Sequence, residues 1–269
     1  AMPMIIQSFI TNFVSFLDNI MVGQLGTEQM TGVAIINQLF FVYALAIFGV
    51  AGDASIFGAQ FYGKGDHQGH MYTFRFRLYA IAFFTIIAAC LFIFCGDGLI
   101  SLYLTSETGE GDPTLTLQCA KSYMKIILVG FIPFGLTQAY ASIVKETGQT
   151  CIPMVAGLIG VVFNAVFDYI LIFGFGPIPA MGIEGAAIAT VMARFVECAI
   201  VLIWSHTHTS KNQFLTGAFK GIGLPSELFS RILIKGFPLI INEILWAAGM
   251  TALTQSYSIR GLEIVAAGN

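Results

Sequence analysis

The sequence predicts an all-α integral membrane protein, a lobe of six spanning helices followed by a seventh. Three observations lead there. Charged residues make up 10% of the 269 residues and hydrophobic ones 57%, with a mean hydropathy of +0.82, where a soluble domain carries roughly 25% charge. Seven apolar stretches approach or exceed the roughly 20 residues a helix needs to cross about 30 Å of hydrocarbon. The seventh also repeats the opening of the first.

The stretches fall near 4–22, 33–62, 77–95, 122–144, 152–173, 182–204 and 237–258. Turn-like or polar segments separate them: 23–28, 63–68, 96–113, 145–149, 174–182 and the longer 206–231. Helices satisfy their own backbone in lipid, and the alternation expected of a membrane barrel is absent. The 29 glycines and 25 phenylalanines suit close helix packing. Five cysteines (Cys90, Cys95, Cys119, Cys151, Cys198) lack the paired spacing of a metal site and read as unpaired packing residues. No basic stretch precedes the first apolar run, so it does not read as a signal peptide. The net charge of −3 gives no reason to expect a nucleic-acid partner.

Pro3-Met-Ile-Ile-Gln7 aligns with Pro238-Leu-Ile-Ile-Asn242, and the same offset places Gly26-Thr-Glu28 on Gly261-Leu-Glu263. Span seven therefore restarts span one. The expected organisation is a six-helix lobe over 1–205, a cytoplasmic linker over 206–231, and the first helix of a truncated second lobe over 232–269. Lys64, Arg75, Arg77, Lys145, Lys211, Lys220, Arg231 and Lys235 collect on one side if the loops alternate, which makes that side and the amino terminus cytoplasmic.

A charge at a helix centre costs about 2.5–3.5 kcal/mol on insertion scales, so each one needs a reason. Asp18 and Asp168 lie five and six residues before Gly23 and Gly174, where spans one and five leave on the outer side. Both carboxylates thus sit roughly 7–9 Å below the helix ends. Asn164 is one turn from Asp168, and Thr190 lies at a slightly greater depth on span six. Together the four offer carboxylate, amide and hydroxyl oxygens to one outer-half volume, suited to a hard cation or a shared proton. Arg194 and Glu197, three apart, read as a structural ion pair. Asp53 either faces a water-filled cavity or marks an early helix end, and Glu243 lies near the cytoplasmic end of span seven.

Three stretches resemble the multidrug and toxic compound extrusion (MATE) family: Leu17-Asp-Asn-Ile-Met-Val-Gly23 with Leu25-Gly-Thr-Glu28; Ala59-Gln-Phe-Tyr-Gly-Lys-Gly-Asp66; and Thr147-Gly-Gln-Thr-Cys-Ile-Pro153 with Asn164-x-x-x-Asp168 and Gly182-Ile-Glu-Gly-Ala-Ala-Ile-Ala-Thr190. The resemblance implies a twelve-helix, two-lobe antiporter of the plasma membrane, not an enzyme, monomeric when full length. It would export cationic amphipathic compounds against sodium ions or protons, with no other cofactor and with lipid as its surroundings. It assigns Asp18, Asn164, Asp168 and Thr190 to cation coupling, with sodium as the one metal to expect there. Glu243 resembles the family's acid on span seven, and Asp53 is a further candidate for coupling or substrate contact. The rivals are a lipid-linked oligosaccharide flippase of the same superfamily, which needs a strongly cationic cavity, and a seven-helix receptor or retinal protein.

Overall fold

The computed structural model describes residues 13–14, 16–106, 112–220, 223–236, 238, 241, 245 and 249, with 102–106 described by backbone alone. The described chain is helical and contains no strand beyond an isolated bridge between Phe175 and Ile178. Helix α1 covers 13–14 and 16–23. It is followed by α2 (Thr27–Gly63), α3 (His67–Ser106), α4 (Pro113–Ile127), α5 (Phe131–Glu146), α6 (Cys151–Phe173) and α7 (Gly182–Thr207). Helix α8 covers 226–236. Spans two to six correspond to α2, α3, α4 with α5, α6 and α7. Among the described residues these are the five segments long and apolar enough to cross a membrane. Most of spans one and seven, and the repeated motifs at 3–7 and 261–263, lie outside the described residues.

The helices are longer than the apolar stretches. Helix α2 has 37 residues and α3 has 40, roughly 55–60 Å at 1.5 Å per residue. Gly96 and Gly98, expected in a loop, are helical. Hydropathy marks only the part of a helix that lipid requires to be apolar, while the backbone ladder continues into the polar boundary. Exposed apolar side chains such as Phe83, Ile86, Ile93 and Phe94 run along α3, a face suited to lipid.

Span four breaks in its middle, where a 3-10 turn at Leu128–Gly130 separates α4 from α5. Pro133 has no N–H to donate back to Val129, which removes an α-helical bond at that point. The break is packed tightly: Tyr43 stacks on Phe131 at 4.3 Å and its hydroxyl donates to the Phe131 carbonyl at 3.1 Å. Helix α4 starts with Asp112 as N-cap, accepting from the Thr114 N–H and hydroxyl. Those bonds hold the Asp112 carboxyl below its usual range.

Helices α6 and α7 approach closely because Gly185 is bare; a Cβ there would lie 2.5 Å from the Leu171 carbonyl oxygen. Small residues allow this in lipid, where van der Waals contact drives helix association.

At the end expected to be cytoplasmic, the basic residues differ from the picture of loop charges. Arg75 and Arg77 are buried within α3. The Arg75 guanidinium donates to the carbonyls of Gly217, Ala218 and Gly223 at 2.6–2.9 Å, fastening the segment after α7 to the lobe. Arg77 is fully buried, pairs with Glu146 and donates to Ser55, while His70 Nε2 lies 3.1 Å from Glu146. A fully buried charge persists only when partnered, and chain turns alone did not reveal these partners. The last residues of the expected linker, 226–231, are already helical. The cysteines are unpaired, as expected; Cys198 is buried, whereas Cys90, Cys95 and Cys151 are exposed on the described helices.

Candidate functional site

The carboxylates of α1 and α6 meet. Helix α6 ends at Phe173 and α1 at residue 23, which leaves Asp168 and Asp18 at the matched depth their spacing predicts. Their carboxyl groups lie within hydrogen-bonding reach of each other. Asp168 is completely buried, and neither of its oxygens receives a hydrogen bond from the described residues. Two carboxylates this close have no proton to share unless one is taken up, so the pair requires a proton or a bound cation for its charge.

Asn164 Nδ2 reaches Thr190 Oγ1 at 3.5 Å, the outer limit of a hydrogen bond. A buried tyrosine stands close by: Tyr123 on α4 lies near Thr190, Asp18, Asp168 and Arg194. Sequence reading missed it because one of nine tyrosines in a span carries no motif. Only its helical phase with buried Ala120 and Ile127 points inward.

Of the four side chains expected around one cavity, two line the cavity between α1, α6 and α7. A cavity of about 180 Å³ between α1, α6 and α7 is lined by Asn164, Thr190, Arg194 and Glu197, among others, but by neither aspartate. A smaller one of about 70 Å³ between α2, the α4–α5 break and α7 again includes Thr190 and Arg194. The aspartates lie one turn nearer the helix ends, where Leu25 after α1 closes on Gly182 at the start of α7. Asp168 is completely buried behind the cavity wall, and Asp18 is half-buried beside it.

Arg194 and Glu197 pair at 3.4 Å, with the guanidinium 5.2 Å from the Phe134 ring centroid. Asp53 neither ends a helix nor lines one of these two cavities. Helix α2 continues ten residues beyond it to Gly63, and Asp53 is buried where α8 arrives, a Cβ at Gly236 falling 2.5 Å from its Oδ2. Glu243 lies outside the described residues. Carboxylate, amide, hydroxyl and phenol oxygens are the donor types that fit a sodium ion, and the unpartnered Asp168 oxygens are where one would bind.

A family model described as MatE matches residues 3–170, more than half of the chain and both aspartates. The chain belongs to the MatE family. Among its relatives, a probable multidrug resistance protein NorM of Thermotoga maritima is 25% identical over 99% of this chain and 55% of its own length. The multidrug export protein MepA of Staphylococcus saprophyticus is 24% identical over 97% of this chain and 54% of its own. The chain thus spans about half the length of the curated relatives it matches. The fold is that of solved MatE transporters. An outward-facing multidrug resistance transporter aligns over 94% of this chain and 53% of its own with a TM-score of 0.79 at 20% identity, and an inward-facing one over 95% and 55% with a TM-score of 0.72.

Proposed function

We propose that this chain provides the amino-terminal lobe, 1–205, the linker, 206–231, and the first helix of the second lobe of a multidrug efflux transporter. It works by secondary active antiport in the plasma membrane, with its amino terminus in the cytoplasm. The substrates are cationic amphipathic compounds, and the driving ion is sodium or a proton taken up from outside. The observation that supports this best is the Asp18–Asp168 pair, two neighbouring like charges of which Asp168 is completely buried and receives no hydrogen bond from the described residues. A cation that neutralises the pair favours the arrangement in which α1 lies against α6. Losing it restores the repulsion, and that differential affinity is what can drive a change of shape. Asn164, Thr190 and Tyr123 complete the site around this pair.

The test is Asp18→Asn in the two-lobe protein, produced in a drug-sensitive bacterium. Export of a cationic dye should be lost while membrane expression and thermal stability stay at the parent level. Unchanged resistance in cells carrying that variant would reject the coupling role.

A further inference from the structure

The end of the lobe expected to face the cytoplasm carries a cavity of about 230 Å³, several times the roughly 30 Å³ that one water occupies in the liquid. Four segments meet around it: Tyr62 from the end of α2, His67 and His70 from the start of α3, Gln149 from the turn between α5 and α6, and Ser210 and Lys211 from the segment after α7. No carboxylate lines it, and among the described residues none pairs with the Lys211 ammonium. A second cavity of equal volume at the same end is lined instead by Asp66, Glu227 and Arg231, the last already paired with Glu227. The first is therefore biased toward positive charge and donors. His70 is 2% exposed, and its Nε2 lies 3.1 Å from the Glu146 carboxylate. An ionised carboxylate only accepts, so the hydrogen sits on Nε2 and leaves Nδ1 without a partner among the described residues. The lip of the cavity is built rather than loose. Asn212 is fully buried and donates Nδ2 to the Ser205 carbonyl at 3.1 Å, which pins the turn that carries Ser210 and Lys211.

From this convergence we infer that the cavity binds a phosphate group, carried by a soluble phosphoester or by a lipid headgroup. The site is independent of drug export. The oxygens of a phosphate spread over a tetrahedron and accept from several directions, which suits donors drawn from four segments, whereas a planar carboxylate is served by one fork. Lys211 supplies the point charge that phosphate sites commonly use. The hydroxyls of Ser210 and Tyr62 and the amide of Gln149 add neutral donors. Nδ1 of His70 accepts from a P–O–H group or, on a protonated ring, donates to a phosphate oxygen. Helix α6 begins two residues after Gln149 with no side-chain cap, so the positive end of its dipole adds to the field there. A bound phosphate would tie the α5–α6 turn, the start of α3 and the segment after α7 to one another.

Calorimetric titration of the purified full chain in detergent, at constant ionic strength, tests this with inorganic phosphate, dihexanoylphosphatidic acid and dihexanoylphosphatidylcholine. Lys211→Gln should weaken binding of the phosphate group about tenfold, the worth of a charge-assisted contact. Lys211 is exposed, so the melting temperature of that variant without ligand should match the parent, and only the stabilisation given by the ligand should be lost. Lys220→Gln removes a cation that follows in the same segment but does not line the cavity, and should leave binding unchanged. Equal affinity for inorganic phosphate and the phosphatidic acid, both dependent on Lys211, supports the site and assigns it to soluble phosphoesters. Phosphatidic acid binding tenfold or more tighter than inorganic phosphate, again dependent on Lys211, supports the site and assigns it to a lipid headgroup. Absence of binding by both, equal weakening in Lys211→Gln and Lys220→Gln, or phosphatidylcholine binding as tightly as the phosphatidic acid overturns the inference.

Discussion

Two clusters of buried charge stand at opposite ends of the lobe and are built on opposite rules. At the end expected to face the cytoplasm, Arg77, Glu146 and His70 join groups of opposite sign or complementary hydrogen bonding, and Glu146 is reached by both partners. At the opposite end, Asp18 and Asp168 join groups of the same sign, and the buried member receives no donor from the described residues. The first cluster is self-sufficient in charge and fixes α3 to α5. The second is complete only with something that arrives from solution. Burial alone therefore does not mark a working site. What marks it is a buried charge set beside a like charge, with no opposite charge to balance the two.

The comparison is open to attack at each end. The largest effect should come from the paired cluster: Glu146→Ala leaves Arg77 buried and uncompensated, which should cost about 3–5 kcal/mol. Thermal unfolding in detergent reads this. A double change, Arg77→Met with Glu146→Leu, should recover most of the loss, and failure to recover would mean the pair is more than structural. At the other end the sign reverses. Asp168→Asn removes one of two like charges, so stability should be kept or raised, and the stabilisation that added sodium or added protons gives the parent should vanish. A variant that melts well below the parent would place the aspartates with the structural charges. The smallest effect should follow Tyr123→Phe, which removes one hydroxyl worth about 0.5–1.5 kcal/mol. Export should slow by several-fold with expression unchanged, and an unaltered rate would remove Tyr123 from the group around Thr190 and the aspartates.

By itself the sequence determined the class of the protein and the depth of its acids. Apolar length reports spanning helices because lipid leaves the backbone no other partner, and counting back from Gly23 and Gly174 puts Asp18 and Asp168 at one level because an α-helix rises uniformly. The pair of Asn164 and Asp168 on α6 was legible for the same reason. Only the tertiary structure decided what faces what. It brought buried Tyr123 near Thr190 and the aspartates, hid Arg77 beside Glu146, set Asp53 against Gly236 and put Asn164 and Thr190, but neither aspartate, on the wall of one cavity. It also broke span four at Leu128–Gly130 and ran α3 ten residues past Gly96 to Ser106. These outcomes depend on the rotation and approach of neighbouring helices. Periodicity along one chain states which residues share a face, but the face that a neighbour covers is fixed by packing between segments far apart in sequence.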